Sequence, residues 1–105
     1  MFVGCASAPK PEAQMASSEG AIRGASEAGA AGVPQAQLHL KLAEEQRQTA
    51  IAMIKDGNNG RAKYMLARSE ADAELAIALA RQAAAEKQAA DANAKVETLE
   101  QKVNQ

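Results

Sequence analysis

The chain reads as an all-α protein: an antiparallel helical hairpin or three-helix bundle with a long, protruding, coiled-coil-like C-terminal helix. Three observations predict this. About a quarter of the residues are alanine, the best helix former because it loses no side-chain entropy. Phe2 and Tyr64 are the only aromatic residues and tryptophan is missing, so any core is thin. No glycine or proline follows Gly60, and apolar residues recur there at alternating four- and three-residue steps.

Residues 1–11 read as a motif followed by a flexible tether. Phe2-Val3-Gly4-Cys5 has the form of a bacterial lipobox tail, in which the cysteine receives lipid. Ala6 to Glu12 is polar and carries Pro9 and Pro11, which favour extended backbone. A secretory signal peptide needs a basic segment and an apolar segment ahead of the cleavage site. Only four residues precede Cys5, so the expectation is a precursor that starts further upstream. Cys5 is the single cysteine, which excludes an intramolecular disulfide and a thiolate metal cluster. No stretch approaches the ~18 apolar residues of a membrane span.

A first helix is expected over 12–31, with Met15, Ile22, Ala25 and Ala28 on one face. Gly29 to Pro34 interrupts it. Gly32 is expected to take φ > 0 after the helix end, and Pro34 suits the first turn of the next helix. A second helix is expected over 34–56. Leu38, Leu42, Ala50, Met53 and Ile54 form its stripe, widened by Leu40 and Ile51. Lys41, Glu44, Glu45, Arg47 and Gln48 fall mostly on the other side. Gly57 then suits the left-handed position after a helix, and Asn58 or Asn59 suits the following N-cap. Gly57 and Asn58 are therefore the expected hairpin turn.

A third helix is expected over 59–103. Its first half carries a seam at Ala62, Leu66, Ser69, Ala73, Ala76, Ala80 and Ala83, flanked by Leu75 and Leu79. Its last part carries Ala85, Ala89, Ala92, Val96, Leu99 and Val103 at the same steps, the spacing of a coiled coil. At 1.5 Å per residue the third helix measures about 65 Å and the second about 34 Å, so about twenty C-terminal residues project. Two arrangements fit. The favoured one is an up-down-up bundle whose C-terminal seam pairs with another molecule. In the other, the first two helices run end to end and Leu99 packs near Met15.

The segment Gly29 to Arg81 carries a resemblance. It contains Val33-Pro34-Gln35-Ala36-Gln37-Leu38, Lys41-Leu42-Ala43, Lys55-Asp56-Gly57-Asn58, Ala67 and Asp72-Ala73-Glu74-Leu75-Ala76. It resembles a family of Ala-rich helical bacterial envelope lipoproteins filed as a domain of unknown function. Members often carry a lipobox close before such a hairpin, and some continue into OmpA-like peptidoglycan-binding domains. The resemblance implies lipidation of Cys5 with palmitate-type chains after signal-peptide cleavage. It carries no direct peptidoglycan binding over, because no OmpA-like segment lies within these residues and Lys102 is internal.

Other chemistry is thinly supported. His39 is the only histidine and lacks a Glu three residues before it, so the Glu-x-x-His pattern of di-iron bundles fails. His39 is expected at a surface or boundary position. Glu70 and Glu74 share a helix face with Asp72 turned away, which reads as a solvated face. No Gly-x-x-x-x-Gly-Lys phosphate cradle occurs. The serines have no histidine base in a plausible arrangement. Net charge is −1 with both signs interspersed, so there is no basic stripe for nucleic acid. Mixed charge and mostly alanine also argue against a helix lying on lipid.

The expected function is a non-enzymatic structural or adaptor lipoprotein with no cofactor and no metal. It is lipid-anchored through Cys5 in the bacterial cell envelope. Ala6 after Cys5 points to the outer membrane, facing the periplasm. The expected partners are the membrane and, at the seam of Ala89, Ala92, Val96, Leu99 and Val103, a second copy or another envelope protein. The alternative is a soluble cytoplasmic helical assembly subunit without an anchor.

Overall fold

The computed structural model describes residues 8–105. Within it, α1 spans Glu12–Glu27, a 3-10 turn spans Ala30–Gly32, α2 spans Pro34–Lys55 and α3 spans Asn59–Val103. The described residues contain no strand.

Each helix end has a local cause. Glu12 places a negative charge in the first turn of α1, where the helix dipole favours it. α1 stops at Glu27 rather than at residue 31. Gly29, not Gly32, takes the left-handed conformation, with φ 85°, and its N–H bonds the Ser26 carbonyl. The chain then makes the 3-10 turn and enters α2 through extended Val33 and Pro34 in the first helical turn. At the end of α2, Gly57 has φ 83°. Gly57 N–H bonds the Ile54 carbonyl at 3.0 Å and Asn58 N–H bonds the Met53 carbonyl at 2.8 Å. This pair of bonds is a Schellman motif, which satisfies carbonyls that α2 would otherwise leave unpaired. The Asn58 side chain caps nothing, so its part in the turn is played by its backbone.

The helices run up, down and up. At the turn end, Met15 of α1 packs on the cluster of Ala50, Ala62 and Leu66. At the other end, Ala25 joins Ala36, Leu40, Ala76 and Ala80. α1 therefore runs antiparallel to α2 and parallel to α3. Leu99 is 59% exposed and does not meet Met15, so the end-to-end arrangement is set aside.

The core is built from small side chains. On α3 the buried residues are Ala62, Leu66, Ser69, Ala73, Ala76 and Ala80, with Ala83 half-buried. On α2 they are Ala36, Leu40, Ala43 and Ala50, and on α1 they are Ser18 and Ala25. The α2 face is rotated from the expected stripe. Leu38 is 57% exposed, while the smaller Ala36 and Ala43 are fully buried. Arg47 also lies between the helices rather than on the outer face, its stem covering the junction with α1. Each buried methyl contributes only about 0.8 kcal/mol, so the bundle depends on length and closeness of approach. Gly24 marks one such approach, because a Cβ there would sit 3.2 Å from Ile77 Cδ1.

The molecule is a rod of 91 × 19 × 15 Å. Every residue from Ala84 to Gln105 is exposed, so α3 continues beyond the bundle as a single helix.

Candidate functional site

Three polar arrangements hold the bundle. His39 Nδ1 donates to Asp72 Oδ1 at 2.9 Å, and Gln46 Nε2 donates to Asp72 Oδ2 at 2.9 Å. Both oxygens of Asp72 are thus occupied by α2. The side chains of His39 and Asp72 are only 26% and 22% exposed. His39 thus takes the boundary position expected of it, and Asp72, turned away from Glu70 and Glu74, faces α2. His39 and Gln46 are seven residues apart and flank the buried positions of α2, and Asp72 flanks those of α3. The pairing could have been sought from that spacing, but only with the register between the two helices in hand. The cluster joins α2 to α3 as a clamp, each Asp72 oxygen taken by a side chain of α2.

Ser69, fully buried, donates to the Ala43 carbonyl at 2.6 Å across α2 and α3. Glu19 of α1 bridges two arginines, reaching Arg47 Nη2 at 3.5 Å and Arg23 Nη2 at 3.6 Å. At the turn end, Asn59 Nδ2 donates to the Ala8 carbonyl at 2.8 Å, and Pro11 is buried. The chain before α1 is therefore held against the start of α3 from Ala8 onward, rather than loose through residue 11.

Cys5 lies outside the described residues. Ala89, Ala92, Val96, Leu99 and Val103 lie on the projecting half of α3, all exposed. Val96, Leu99 and Val103 are 52%, 59% and 82% exposed. With Glu100 and Asn104 they line a shallow apolar depression near the tip. Gly57 and Asn58 lie at the opposite end, beside Ala8.

Among the described residues, no group of three His, Cys, Asp or Glu side chains could hold a metal ion. No helix among them is long and apolar enough to cross a membrane. No known protein family, curated protein sequence or solved structure matches the chain. The arrangement therefore defines a three-helix rod with a docked N-terminal segment at one end and, at the other, a projecting helix with an exposed apolar stripe.

Proposed function

We propose that this chain is a lipid-anchored envelope lipoprotein, held in the outer membrane and facing the periplasm, which acts as a structural or adaptor element through helix–helix contacts. The observation that carries this reading is the opposition of its two ends. The segment just after the lipobox-like Phe2-Val3-Gly4-Cys5 is fixed by Asn59 at one end of the rod. The exposed seam of Val96, Leu99 and Val103 lies at the other. α3 has 45 residues, so its tip lies about 67 Å from its start. An acylated Cys5 at the near end would hold the seam well clear of the bilayer. Several acyl chains on one cysteine would make that attachment stable, where one chain alone binds only marginally. The contacts available to the seam are apolar and helical, which suits assembly rather than turnover.

The test is the intact mass of protein extracted from membranes, expressed with its native upstream sequence. The expected species begins at Cys5 and carries a diacylglycerol thioether, with or without an N-acyl chain. Cys5→Ser is expected to leave the membrane fraction. A free thiol on an unprocessed N-terminus would refute the reading.

A further inference from the structure

The apolar face of α3 that nothing covers is longer than the projecting arm. Counting back from Val103 in steps of four and three, it continues down the outer side of the bundle. One set of positions is Leu75, Gln82, Ala89, Val96 and Val103. The alternating set is Ala71, Ala78, Ala85, Ala92 and Leu99. All ten are exposed. Together they form a heptad stripe about 48 Å long, apolar except at Gln82. It is distinct from the buried seam of Ala62 to Ala80. At 100° per residue the two stripes point about 160° apart around the helix. α3 thus has two coiled-coil faces, one used inside the bundle and one open to solvent.

The charges beside the open face say what would cover it. The edge following Ala71, Ala78, Ala85, Ala92 and Leu99 carries Asp72, Leu79, Glu86, Asn93 and Glu100. Its only charges are acidic. The edge preceding the other set carries Glu74, Arg81, Gln88, Lys95 and Lys102, and is basic from Arg81 onward. In a parallel, in-register pair of identical helices, each edge of one copy meets the opposite edge of the other, offset by five residues. Arg81 then meets Glu86, Gln88 meets Asn93 and Lys95 meets Glu100, each contact occurring twice. No like-charge pair arises. An antiparallel pair sets acidic edge against acidic edge and basic against basic. Gln82 adds a register signal, as the single polar residue among the seam positions: in register it faces its own copy, and a polar residue at such a position fixes alignment.

We infer that two copies of this chain associate in parallel and in register along the outer face of α3, from Ala71 to Val103, with the two bundles on opposite outer sides. The inference deepens the reading of α3 as a helix-pairing element and rests on it, but it does not rest on the anchor at Cys5. The pair would bring both Ala8 segments to one end. Half of the ten seam positions are alanine, so association is weak and reversible.

The test uses the full chain carrying Cys5→Ser, which removes both the lipid site and the native thiol. Single cysteines are added as Ala71→Cys or Ala92→Cys, with Ala90→Cys as a control off the stripe. Each variant is incubated in a glutathione redox buffer and its disulfide dimer measured. Both seam variants are expected to link to themselves on the order of tenfold more than the control, through effective concentration. An antiparallel pair can self-link at only one of the two sites, so linking at one alone overturns the parallel assignment. Sedimentation of the Cys5→Ser chain at several concentrations is expected to show a reversible dimer, abolished by Leu99→Glu with helicity retained. A concentration-independent monomer, with no linking above the control, would mean that something other than a second copy covers this face. Because the anchor is absent throughout, a negative mass result for Cys5 acylation and a negative result here remain separate.

Discussion

The Ser69 hydroxyl donates a 2.6 Å hydrogen bond to the backbone carbonyl of Ala43, joining two fully buried residues of neighbouring antiparallel helices. A serine side chain is one atom longer than alanine. Its reach to the opposite backbone means that α2 and α3 meet there with almost nothing between them. The Ala43 carbonyl has a second lone pair for its partner within α2, so the bond adds to the helix ladder without disturbing it.

Ser69→Ala should therefore be mild and Ser69→Leu severe. The alanine variant loses one hydrogen bond, worth about 1 kcal/mol, and leaves the carbonyl satisfied within α2. The leucine variant forces the helices apart, which costs about 1–3 kcal/mol or more. In a domain of this size each kcal/mol lowers the thermal midpoint by about 4–8 °C. A leucine variant as stable as the alanine one would mean that the helices do not touch at this level.

At the hairpin turn, Gly57 has φ 83° and open space where a Cβ would sit. Any cost of substitution is therefore backbone strain alone. Gly57→Ala is expected to destabilise by on the order of 1 kcal/mol, and Gly57→Val by more, since a branched side chain tolerates the left-handed region worst. Denaturant midpoints for the two variants and the parent measure this directly. Equal midpoints would move the tight position of the turn elsewhere.

Two glycines inside α1 give opposite contexts for one change. A Cβ at Gly20 would meet nothing within 4 Å, so Gly20→Ala is expected to stabilise by about 1 kcal/mol through helix propensity alone. At Gly24 the same Cβ would press on Ile77 Cδ1 at 3.2 Å. The end of that side chain must give way, so Gly24→Ala is expected to gain less than Gly20→Ala. Thermal midpoints of the two single variants rank them, and a larger gain at Gly24 would show that α1 stands further from α3.

The seam of α3 was legible because nothing interrupts it. Ala62, Leu66, Ser69, Ala73, Ala76 and Ala80 repeat at fixed steps, and all are buried. α2 was harder to read because its largest residues misdirect. Leu38 and Leu42 draw attention as a stripe, yet the tight approach to α3 selects Ala36 and Ala43, whose value lies in being small. Hydrophobicity scores cannot signal that preference. The clamp of His39, Gln46 and Asp72 depends on how α2 and α3 are aligned along their length, which no single helix records. The left-handed residue after α1 was expected at Gly32, but α1 ends sooner, at Glu27, and Gly29 takes that place with its N–H on the Ser26 carbonyl. Cys5 was singled out by its neighbours in sequence and carries no geometry here.

The uncovered half of α3 has a consequence for how the helix exists at all. Starting a helix is the unfavourable step, and lengthening one already begun costs little. From Asn59 to Ala83 the bundle fixes the backbone by packing, so the remaining turns grow from a finished template instead of nucleating alone. Their support is then local: alanine content, and pairs such as Gln82 with Glu86, which meet at 3.2 Å. Order in such a segment fades with distance from its template. By that reasoning fraying is expected to grow towards Gln105, and Val96, Leu99 and Val103 sit in the outer part of the arm. A partner that grips them would have to arrest that fraying, and the ordering of the tip would be part of the free energy of its binding.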